Sequence, residues 1–547
     1  MRGYDVVADS ILRAGVDTGF GLLGNSNLAV AGTLVGRGAR FLRSRHEAGA
    51  VCLAAGYAWA SGRPALCTVT HGPGLGNALT ALTSAVRDRL PVVLLIGDIR
   101  DREPWLAQHA DHAAMIGWTG AEFRDCRDPA RLAATVAAGF AGAVAQRRPA
   151  VVNVPAPLLD APAVPQSPAA PAPAGAGGGA APGVPDRELL GQAVEALRSA
   201  ERPVVLAGRG AVWSGAGPAL RRLAGAAGAL LTTTLPAIGL FAGDPYDLGV
   251  CGGYSTATAR ALLREADCLM VFGASLNGYT TAGAAAFPDA RVIHCDTDPA
   301  VPGRHHRADL GLTGDAASAG SALTAALRSG PARSPGYRLP EIAERIAAAR
   351  AGADYPDLSD RQGLDPRAAL RMLDPLLPAD RQVVIDVGHF STFPSQALPV
   401  PGPGHFFPAT GFGSVGLSVA SGVGAAVGRG IRTVVVVGDG GTLMSLGELE
   451  TLSRHRPPVT VVVLNDRAYG AEIHHLRNRG FPETLADFPP CDLAAVASSL
   501  GLPAVTVRSA ADLAQLVPRL PADAPALIDV RVTRATVADR FTSAPVR

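Results

Sequence analysis

Lysine is absent from this 547-residue chain, so its 49 basic residues are all arginine. A side-chain amine forms the covalent link in pyridoxal phosphate enzymes and Schiff-base aldolases, and a lysine completes the Walker A phosphate loop. The composition therefore excludes these three kinds of chemistry. An enzyme of carbonyl chemistry built from such a chain needs an electron sink from a cofactor or a metal.

Paired cysteines, long apolar runs and excess charge are also missing. The seven cysteines are scattered without a CxxC pair, which is typical of reduced thiols in a cytoplasmic protein. No apolar run approaches the ~20 residues of a membrane span, and the first residues lack the apolar stretch of a signal peptide. The formal net charge is +2 and no basic patch is interleaved with aromatics. We expect a cytoplasmic location, no membrane association and no nucleic-acid partner.

The chain is too long for one core, and alternating helical and strand patterns predict three α/β domains with parallel sheets. A Pro/Ala/Gly-rich segment between the first two cannot form a core and is predicted to be a linker. The predicted boundaries are 1–160 for the first domain, 161–186 for this linker, 187–330 for the central domain, 331–364 for a second linker, 365–533 for the third domain and 534–547 for a tail.

The sharpest pattern is a βαβ unit over residues 433–470: an apolar strand, the turn GDGG at 438–441, a helix over about 443–455, and a strand ending in Asn465-Asp466. A right-handed crossover brings both strand ends to one sheet edge, so we expect Asp439 and Asp466 to meet there. Two carboxylates suit Mg²⁺, which often shares its ligands with phosphates. Gly440 and Gly441 allow the backbone to approach a diphosphate. The alternative is an ordinary βαβ turn with an Asp N-cap.

This spacing resembles the cofactor motif of thiamine diphosphate (ThDP) enzymes, in particular the 2-oxo acid decarboxylase and acetolactate synthase group. The resemblance implies ThDP and Mg²⁺ as cofactors. It also implies three doubly wound parallel-sheet α/β domains, which are the pyrimidine-binding, central and diphosphate-binding domains. The implied metal ligands are Asp439, Asp466 and the backbone carbonyl of Ala468. Asp466 stands where the family has Asn, which keeps an oxygen donor and adds a negative charge.

A second motif, RHEAGA at 45–50, opens a helix of small residues in the first domain. It resembles the family segment whose Glu, here Glu47, hydrogen-bonds N1′ of the aminopyrimidine. We expect Glu47 to be buried among Ala and Gly. Alone, a Glu in a first helical turn would merely interact favourably with the helix dipole.

Other polar residues of the first domain have two interpretations each. His71, in the loop THGPGLGN at 70–77, is either an acid–base group or a turn residue. Asn25 falls where decarboxylase relatives carry an acid, and an amide cannot transfer a proton as an acid does. His109 and His112 lie in a loop that either faces the site or is solvated.

In the third domain, Gly388 and His389 follow a strand, and their backbone resembles a second diphosphate contact of the family. The loop TGFGSVG at 410–416 resembles the family loop that holds the two cofactor rings. The carbonyl of Gly413 is the implied acceptor for the 4′-amino group, and Val415 is the implied wedge between the rings.

Tyr469 and Glu472 begin the helix after the βαβ unit. Tyr469 is an expected cofactor contact. Glu472 lines up with an active-site Glu of pyruvate decarboxylase-like enzymes, or is a solvated carboxylate. In the central domain the turn GRG at 208–210 does not extend to GxGxxG, which argues against NAD. Some relatives bind flavin near the strand end at 295–299. We expect a scaffold there; FAD is possible but supported by no residue.

The resemblance implies non-oxidative decarboxylation of a small 2-oxo acid, followed by carboligation of the acetolactate synthase kind or by release of an aldehyde. Glu472 favours aldehyde release, whereas Asn25 favours carboligation. The alternatives are a simple decarboxylase without carboligation and a catalytically silent ThDP-binding protein. Relatives bind the cofactor between subunits, so a homodimer or homotetramer is expected. The sequence does not identify the 2-oxo acid or its acceptor.

Overall fold

The computed structural model describes residues 1–98, 105–167, 183–330 and 336–541. Much of the predicted linker at 161–186 lies outside the described residues, as do 331–335 of the second linker and 542–547 of the tail. The described residues form three six-stranded sheets in which every strand pair is parallel. This confirms the predicted α/β class. The exact domain boundaries stay predictions.

The first sheet comprises the strands β1 Thr18–Gly21, β2 Arg40–Arg43, β3 Ala65–Val69, β4 Val92–Asp98, β5 Glu122–Asp125 and β6 Ala150–Pro155. The helices around it are α1 Gly3–Arg13, α2 Leu28–Gly36, α3 Glu47–Ser61, α4 Pro73–Arg87, α5 His112–Gly117, α6 Leu132–Gln146 and α7 Ala156–Asp160. The strands lie in the order β2-β1-β3-β4-β6-β5. Both β3 and β4 are buried along their whole length, as expected of parallel strands covered on both faces.

The central sheet comprises β7 Pro203–Ala207, β8 Leu230–Thr233, β9 Asp247–Val250, β10 Cys268–Phe272, β11 Arg291–Asp296 and β12 Leu310–Thr313. Its helices are α8 Arg187–Ser199, α9 Arg209–Trp213, α10 Gly217–Ala227, α11 Ala257–Arg264, α12 Gly278–Thr281 and α13 Ala316–Arg328, and α14 Pro340–Arg350 follows. The strand order is β12-β11-β10-β7-β8-β9. Three of the strands have only four residues, too few to give a clear periodic pattern in the sequence.

The third sheet comprises β13 Arg381–Ile385, β14 Phe406–Pro408, β15 Arg432–Gly438, β16 Val459–Asn465, β17 Ala504–Val507 and β18 Ala526–Arg531. Its helices are α15 Pro366–Leu373, α16 Thr392–Ala397, α17 Ser418–Arg429, α18 Asp439–Met444, α19 Leu446–His455, α20 Gly470–Asn478, α21 Leu493–Ser499 and α22 Ala510–Leu516. The strand order is β14-β13-β15-β16-β18-β17. The helix predicted from about 443 begins earlier, at Asp439, and breaks at Ser445, because the GDGG turn itself winds into the helix.

The strand order reverses direction within each sheet, and ligands of doubly wound folds bind at such switch points. In the first sheet the switch lies between β1 and β3, so the loops bearing Asn25 and His71 meet there. In the third sheet it lies between β13 and β15, where the chain continues into Gly388 and Asp439. The topology alone therefore places two groups of predicted site residues at the two positions where binding is expected.

The first and third domains are joined by the packing of α3 against α17, and their apolar residues form one core. A Cβ added at Gly56 would lie 1.9 Å from the carbonyl oxygen of Ser421, and one added at Gly424 would lie 1.9 Å from that of Leu53. The two helix backbones are therefore in direct contact, which only glycine permits at these positions. Among the described residues, no helix is both long enough and apolar enough to cross a membrane.

We predict that Gly56→Ala lowers the free energy of unfolding by about 1–3 kcal/mol or more, because the added methyl group collides with backbone. Gly32→Ala is the matched control, since Gly32 is an exposed helical glycine with nothing within 4 Å of an added Cβ. That change should leave stability equal or higher by about 0.5–1 kcal/mol. Urea unfolding measures the stability of both variants. Equal midpoints would contradict the close packing of α3 against α17.

Candidate functional site

A buried carboxylate pair lies at the carboxyl edge of the third sheet. Gly438 pairs with Leu464 across β15 and β16, so Asp439 and Asp466 follow neighbouring strand ends. They are 4% and 8% exposed. Burial, and secondarily the charge of Asp466, raises the pKa of Asp439 to about 8. Burial also raises the pKa of Asp466 to about 6, opposed by the guanidinium of Arg534.

This pair fits a hard cation. Oδ1 of Asp439 is buried without a hydrogen-bond partner, and two like charges held out of water repel each other. Within the described part of the chain, no group of three or more His, Cys, Asp or Glu residues could hold a metal. A cation at this pair would thus take its other ligands from backbone, water or phosphate, as Mg²⁺ commonly does.

The turn after Asp466 presents Ala468, the third expected ligand. Arg467 has a φ of 58°, a left-handed conformation that costs about 1–3 kcal/mol for a residue other than glycine. Arg534 stabilises this turn, since its Nε donates to the carbonyl of Asp466 and its Nη2 to that of Arg467, each at 2.7 Å. Its charge also offsets the carboxylate that replaces the family's amide. The sequence analysis missed Arg534 because it lies in a tail without periodic pattern.

The glycines of the turn allow neighbouring side chains to pack directly against its backbone. A Cβ added at Gly441 would lie 2.7 Å from Oδ2 of Asp386, and one added at Gly440 would lie 2.6 Å from the ring of Tyr469. Both glycines also line the cavity beside the carboxylates, where they contribute backbone without a side chain. This is the kind of surface that the diphosphate of a cofactor needs.

The loop 410–416 is held by Asp386, which the sequence analysis passed over. This residue is fully buried, and its carboxylate accepts the N–H groups of Val387 at 2.8 Å and Gly416 at 2.9 Å. Burial raises the pKa of Asp386 to about 6. Gly413 and Val415 of the loop both line the cavity. An acid directly after a buried strand, as at Asp439, was the signal available in the sequence.

A cavity of about 140 Å³ gathers these residues. Its lining includes all the residues predicted in the third domain, namely Gly388, His389, Gly413, Val415, Asp439, Gly440, Gly441, Asp466, Ala468, Tyr469 and Glu472. His389 is buried with its ring centroid 4.9 Å from that of His474, and burial together with this neighbour lowers its pKa to about 3. Glu472 is exposed at the mouth of the cavity.

The first-domain candidates form a separate group. Oε2 of Glu47 accepts the amide of Asn77 at 3.0 Å, and an added Cβ on Gly74 would lie 3.4 Å from Oε1. Gly74 also abuts Thr70, which in turn contacts the loop of Asn25 at Gly24. Glu47 is only half-buried, so the expectation of burial among Ala and Gly is wrong for the single chain. Those small residues instead pack α3 against α17.

His71 and His112 lie on either side of one tight turn. His71 is 7% exposed with its Nδ1 unpartnered, and burial lowers its pKa. His112 is buried, its Nε2 accepts the N–H of Gly72 at 3.1 Å, and its Nδ1 lies 3.1 Å from Oδ1 of Asn153. A solvated surface position for His112 is therefore wrong, because it anchors the loop of His71. His109 is exposed.

The first-domain residues and the third-domain cavity do not meet within the described chain. Glu47, His71 and Asn25 are absent from the cavity lining. In the central domain, the N–H groups of Gly208 and Gly210 donate to the carbonyls of Phe272 and Gly273 at 2.8 and 2.9 Å. The backbone of this turn is thus engaged within the sheet, which favours the scaffold interpretation.

Comparison with known proteins adds an independent finding. Three family models match: "Thiamine pyrophosphate enzyme, N-terminal TPP binding domain" over residues 1–115, the central domain over 190–324, and the "C-terminal TPP binding domain" over 386–530. The acetolactate synthase large subunit of Parasynechococcus marenigrum is 30% identical, over 98% of this chain and 88% of its own length. The isozyme 2 large subunit of Escherichia coli is 29% identical over 92% and 90%. Acetolactate synthase 1, chloroplastic, of Zea mays is 26% identical over 97% and 85%.

We predict that binding of Mg²⁺ tightens as pH rises from 6 to 9. The metal needs ionised carboxylates, and a proton on Asp439, whose pKa is raised to about 8, competes with it. Affinity should fall about tenfold for each pH unit below that pKa. Calorimetry of Mg²⁺-dependent ThDP binding measures this, and Asp466→Asn should shift the profile to lower pH, because it removes the charge that adds to burial in raising the pKa of Asp439.

Asp186→Asn, at an exposed helix cap of the central domain, is the control and should leave the pH profile of Mg²⁺ binding unchanged. A wild-type affinity that is constant between these pH values would show that the two carboxylates do not bind the metal.

Proposed function

Because the chain belongs to the thiamine diphosphate-dependent enzymes of the acetolactate synthase superfamily, we propose that it decarboxylates a small 2-oxo acid without oxidation and with Mg²⁺ bound. The product is either a carboligation product or a free aldehyde. The observation that carries this proposal is the buried pair Asp439 and Asp466, with one unpartnered oxygen, beside bare glycine backbone at a topological switch point.

When bound, ThDP supplies the electron sink that a chain without lysine lacks. Asp439, Asp466 and the carbonyl of Ala468 would hold Mg²⁺, which would neutralise charge on the diphosphate. Asp386 fixes the loop of Gly413 and Val415, and these two residues would hold the rings of the cofactor. These residues bind and orient, and such positioning contributes to the rate by proximity.

Two copies of the chain complete the proposed site. The cavity of about 140 Å³ is smaller than the ~300–1,000 Å³ of typical ligand pockets, and Glu47 does not line it. Glu47 is half-buried at the surface, free to reach a second copy. There it would hold a proton shared with N1′ of the aminopyrimidine. A homodimer is the smallest assembly consistent with this arrangement, and a homotetramer contains two such pairs.

The fate of the product depends on which acid is near it. Glu472 at the cavity mouth can donate a proton and release an aldehyde. His71 is buried and neutral, and its free Nδ1 can accept or donate at the first-domain side. Asn25 cannot transfer a proton, which leaves that position able only to bind a second carbonyl compound. Experiment can distinguish aldehyde release, carboligation and a catalytically silent protein. The buried thiols support a cytoplasmic location.

We predict that Glu47→Gln slows exchange of deuterium at C2 of bound ThDP by about 100-fold or more, the contribution of a general acid–base group. Binding of ThDP and Mg²⁺ should persist, because Glu47 does not touch the metal site. Proton NMR of quenched samples measures the exchange.

Glu188→Gln, an exposed Glu in the first turn of α8, is the control for Glu47→Gln and should exchange as wild type does. If the Glu47 variant also exchanges as wild type does, Glu47 is not the proton relay. If wild type exchanges no faster than free cofactor, the silent alternative is correct.

We predict that Glu472→Gln lowers the share of aldehyde relative to carboligation product by about tenfold or more, since it removes the proposed proton donor. The assay is proton NMR with ThDP, Mg²⁺ and pyruvate, repeated with a bulkier 2-oxo acid. Glu483→Gln, at a partly exposed residue paired with Arg477, is the control. An unchanged product ratio would remove Glu472 from the proposal.

A further inference from the structure

Glu448, in α19, is a buried carboxylate for which the proposed site has no use. It is 4% exposed, and its Oε1 accepts the backbone N–H of Arg45 at 3.2 Å. Arg45 belongs to the first domain, two residues before Glu47. The contact therefore joins the helix that follows the metal-site turn to the segment that carries the proposed proton relay.

The carboxylate lies directly against the first turn of α3. A Cβ added at Gly49 would lie 2.1 Å from Oε1 of Glu448 and 2.5 Å from its Cδ. Only glycine leaves room for the carboxylate at this position. The first turn of a helix has unpaired N–H groups and the positive end of the helix dipole, both of which attract a carboxylate.

A second group on α19 holds the same segment. The N–H of Arg43 donates to Nε2 of His455 at 3.2 Å. Glu450 pairs with the side chain of Arg45 at 2.5 Å, but it is more exposed than Glu448 and also pairs with Arg454. The approach to α3 is thus fixed along residues 43–45 by side chains of α19.

Burial of the Glu448 carboxylate costs free energy, and packing of α19 against α3 would not by itself require a carboxylate there. Oε2 of Glu448 is buried without a hydrogen-bond partner. Burial raises the pKa of Glu448, and the hydroxyl of Thr451 and the backbone N–H groups of Arg45 and His46 partly oppose this. A buried polar atom without a partner destabilises the folded chain, and such atoms in native proteins often have a functional reason.

We propose that Glu448 is a positioning residue that fixes the first turn of α3 and so aims Glu47 at the cofactor. The inference rests on the proposed role of Glu47. Glu448 touches neither the cofactor nor the reacting atoms. It acts through the backbone of Arg45 and the close contact at Gly49, and it links the third domain of one chain to the proton relay that the same chain offers to a second copy.

The test compares Glu448→Ala and Glu448→Gln, with Glu188→Gln, at an exposed position in the first turn of α8, as the control. In cofactor-free protein, the alanine variant should speed amide hydrogen exchange over residues 43–50 by about tenfold, since the N–H of Arg45 loses its acceptor. In loaded enzyme it should slow C2 exchange of ThDP by about tenfold, with ThDP affinity changed less than about threefold. The glutamine variant keeps an acceptor oxygen and should stay within about threefold of wild type.

The double variant Glu47→Gln/Glu448→Ala separates positioning from general stability. If Glu448 acts through Glu47, the double variant exchanges C2 no more slowly than Glu47→Gln alone. If the factors by which the two substitutions slow C2 exchange multiply in the double variant, the inference is overturned. It is also overturned if Glu448→Ala exchanges C2 as wild type does. Should the alanine variant fail to fold, Glu448→Asp takes its place with the same expectations, because its carboxylate is one methylene too short to reach.

The amide exchange distinguishes this inference from the proposed function. If Glu47→Gln leaves C2 exchange unchanged, Glu47 is not the proton relay, and Glu448 does not position a relay. Faster amide exchange in cofactor-free Glu448→Ala would then still show that Glu448 fixes α3. If amide exchange over residues 43–50 is unchanged in Glu448→Ala, Glu448 does not fix α3, regardless of the result for C2 exchange of the cofactor.

Discussion

Direct backbone contact between α3 and α17 is the constraint on which the arrangement of this protein depends. Glycines at 56 and 424 let each helix press on a carbonyl of the other, so the first and third domains share one core. Close packing transmits small displacements instead of absorbing them. The orientation of Glu47, at the first turn of α3, is therefore set by how α3 sits on the third domain, and Glu448 adds a polar contact at the same end.

Desolvated carboxylates are the second organising feature. Asp386, Asp439 and Asp466 each have a raised pKa because burial disfavours the charged form. Asp386 recovers part of this cost by accepting two backbone N–H groups that shape the ring-binding loop. Asp439 has no such compensation at Oδ1. The free protein thus holds unfavourable electrostatics at this pair, which a bound cation would relieve, a pattern common at functional sites.

The topological switch points explain why two half-sites exist on one chain. Doubly wound sheets open a crevice where the strand order reverses, and the first and third sheets each place their predicted residues at that crevice. The two crevices are not joined within the chain. A second copy supplies the missing half in the proposed assembly, which makes the site a property of the dimer rather than of either sheet.

The sequence by itself determined the βαβ unit, the strand-end acids Asp439 and Asp466, and the α/β class, because hydrophobic periodicity and strand-end position are local properties of the chain. It misplaced the start of the helix after GDGG, since glycines permit turn and helix alike. The tertiary structure alone decided the roles of Asp386, Arg534, His112 and Glu448. Each acts through a partner 30 or more positions away in sequence, and a local pattern, such as the strand-end position of Asp386, does not identify that partner. It likewise decided that Glu47 is half-buried, because the burial of a side chain depends on which surfaces pack together in the folded chain.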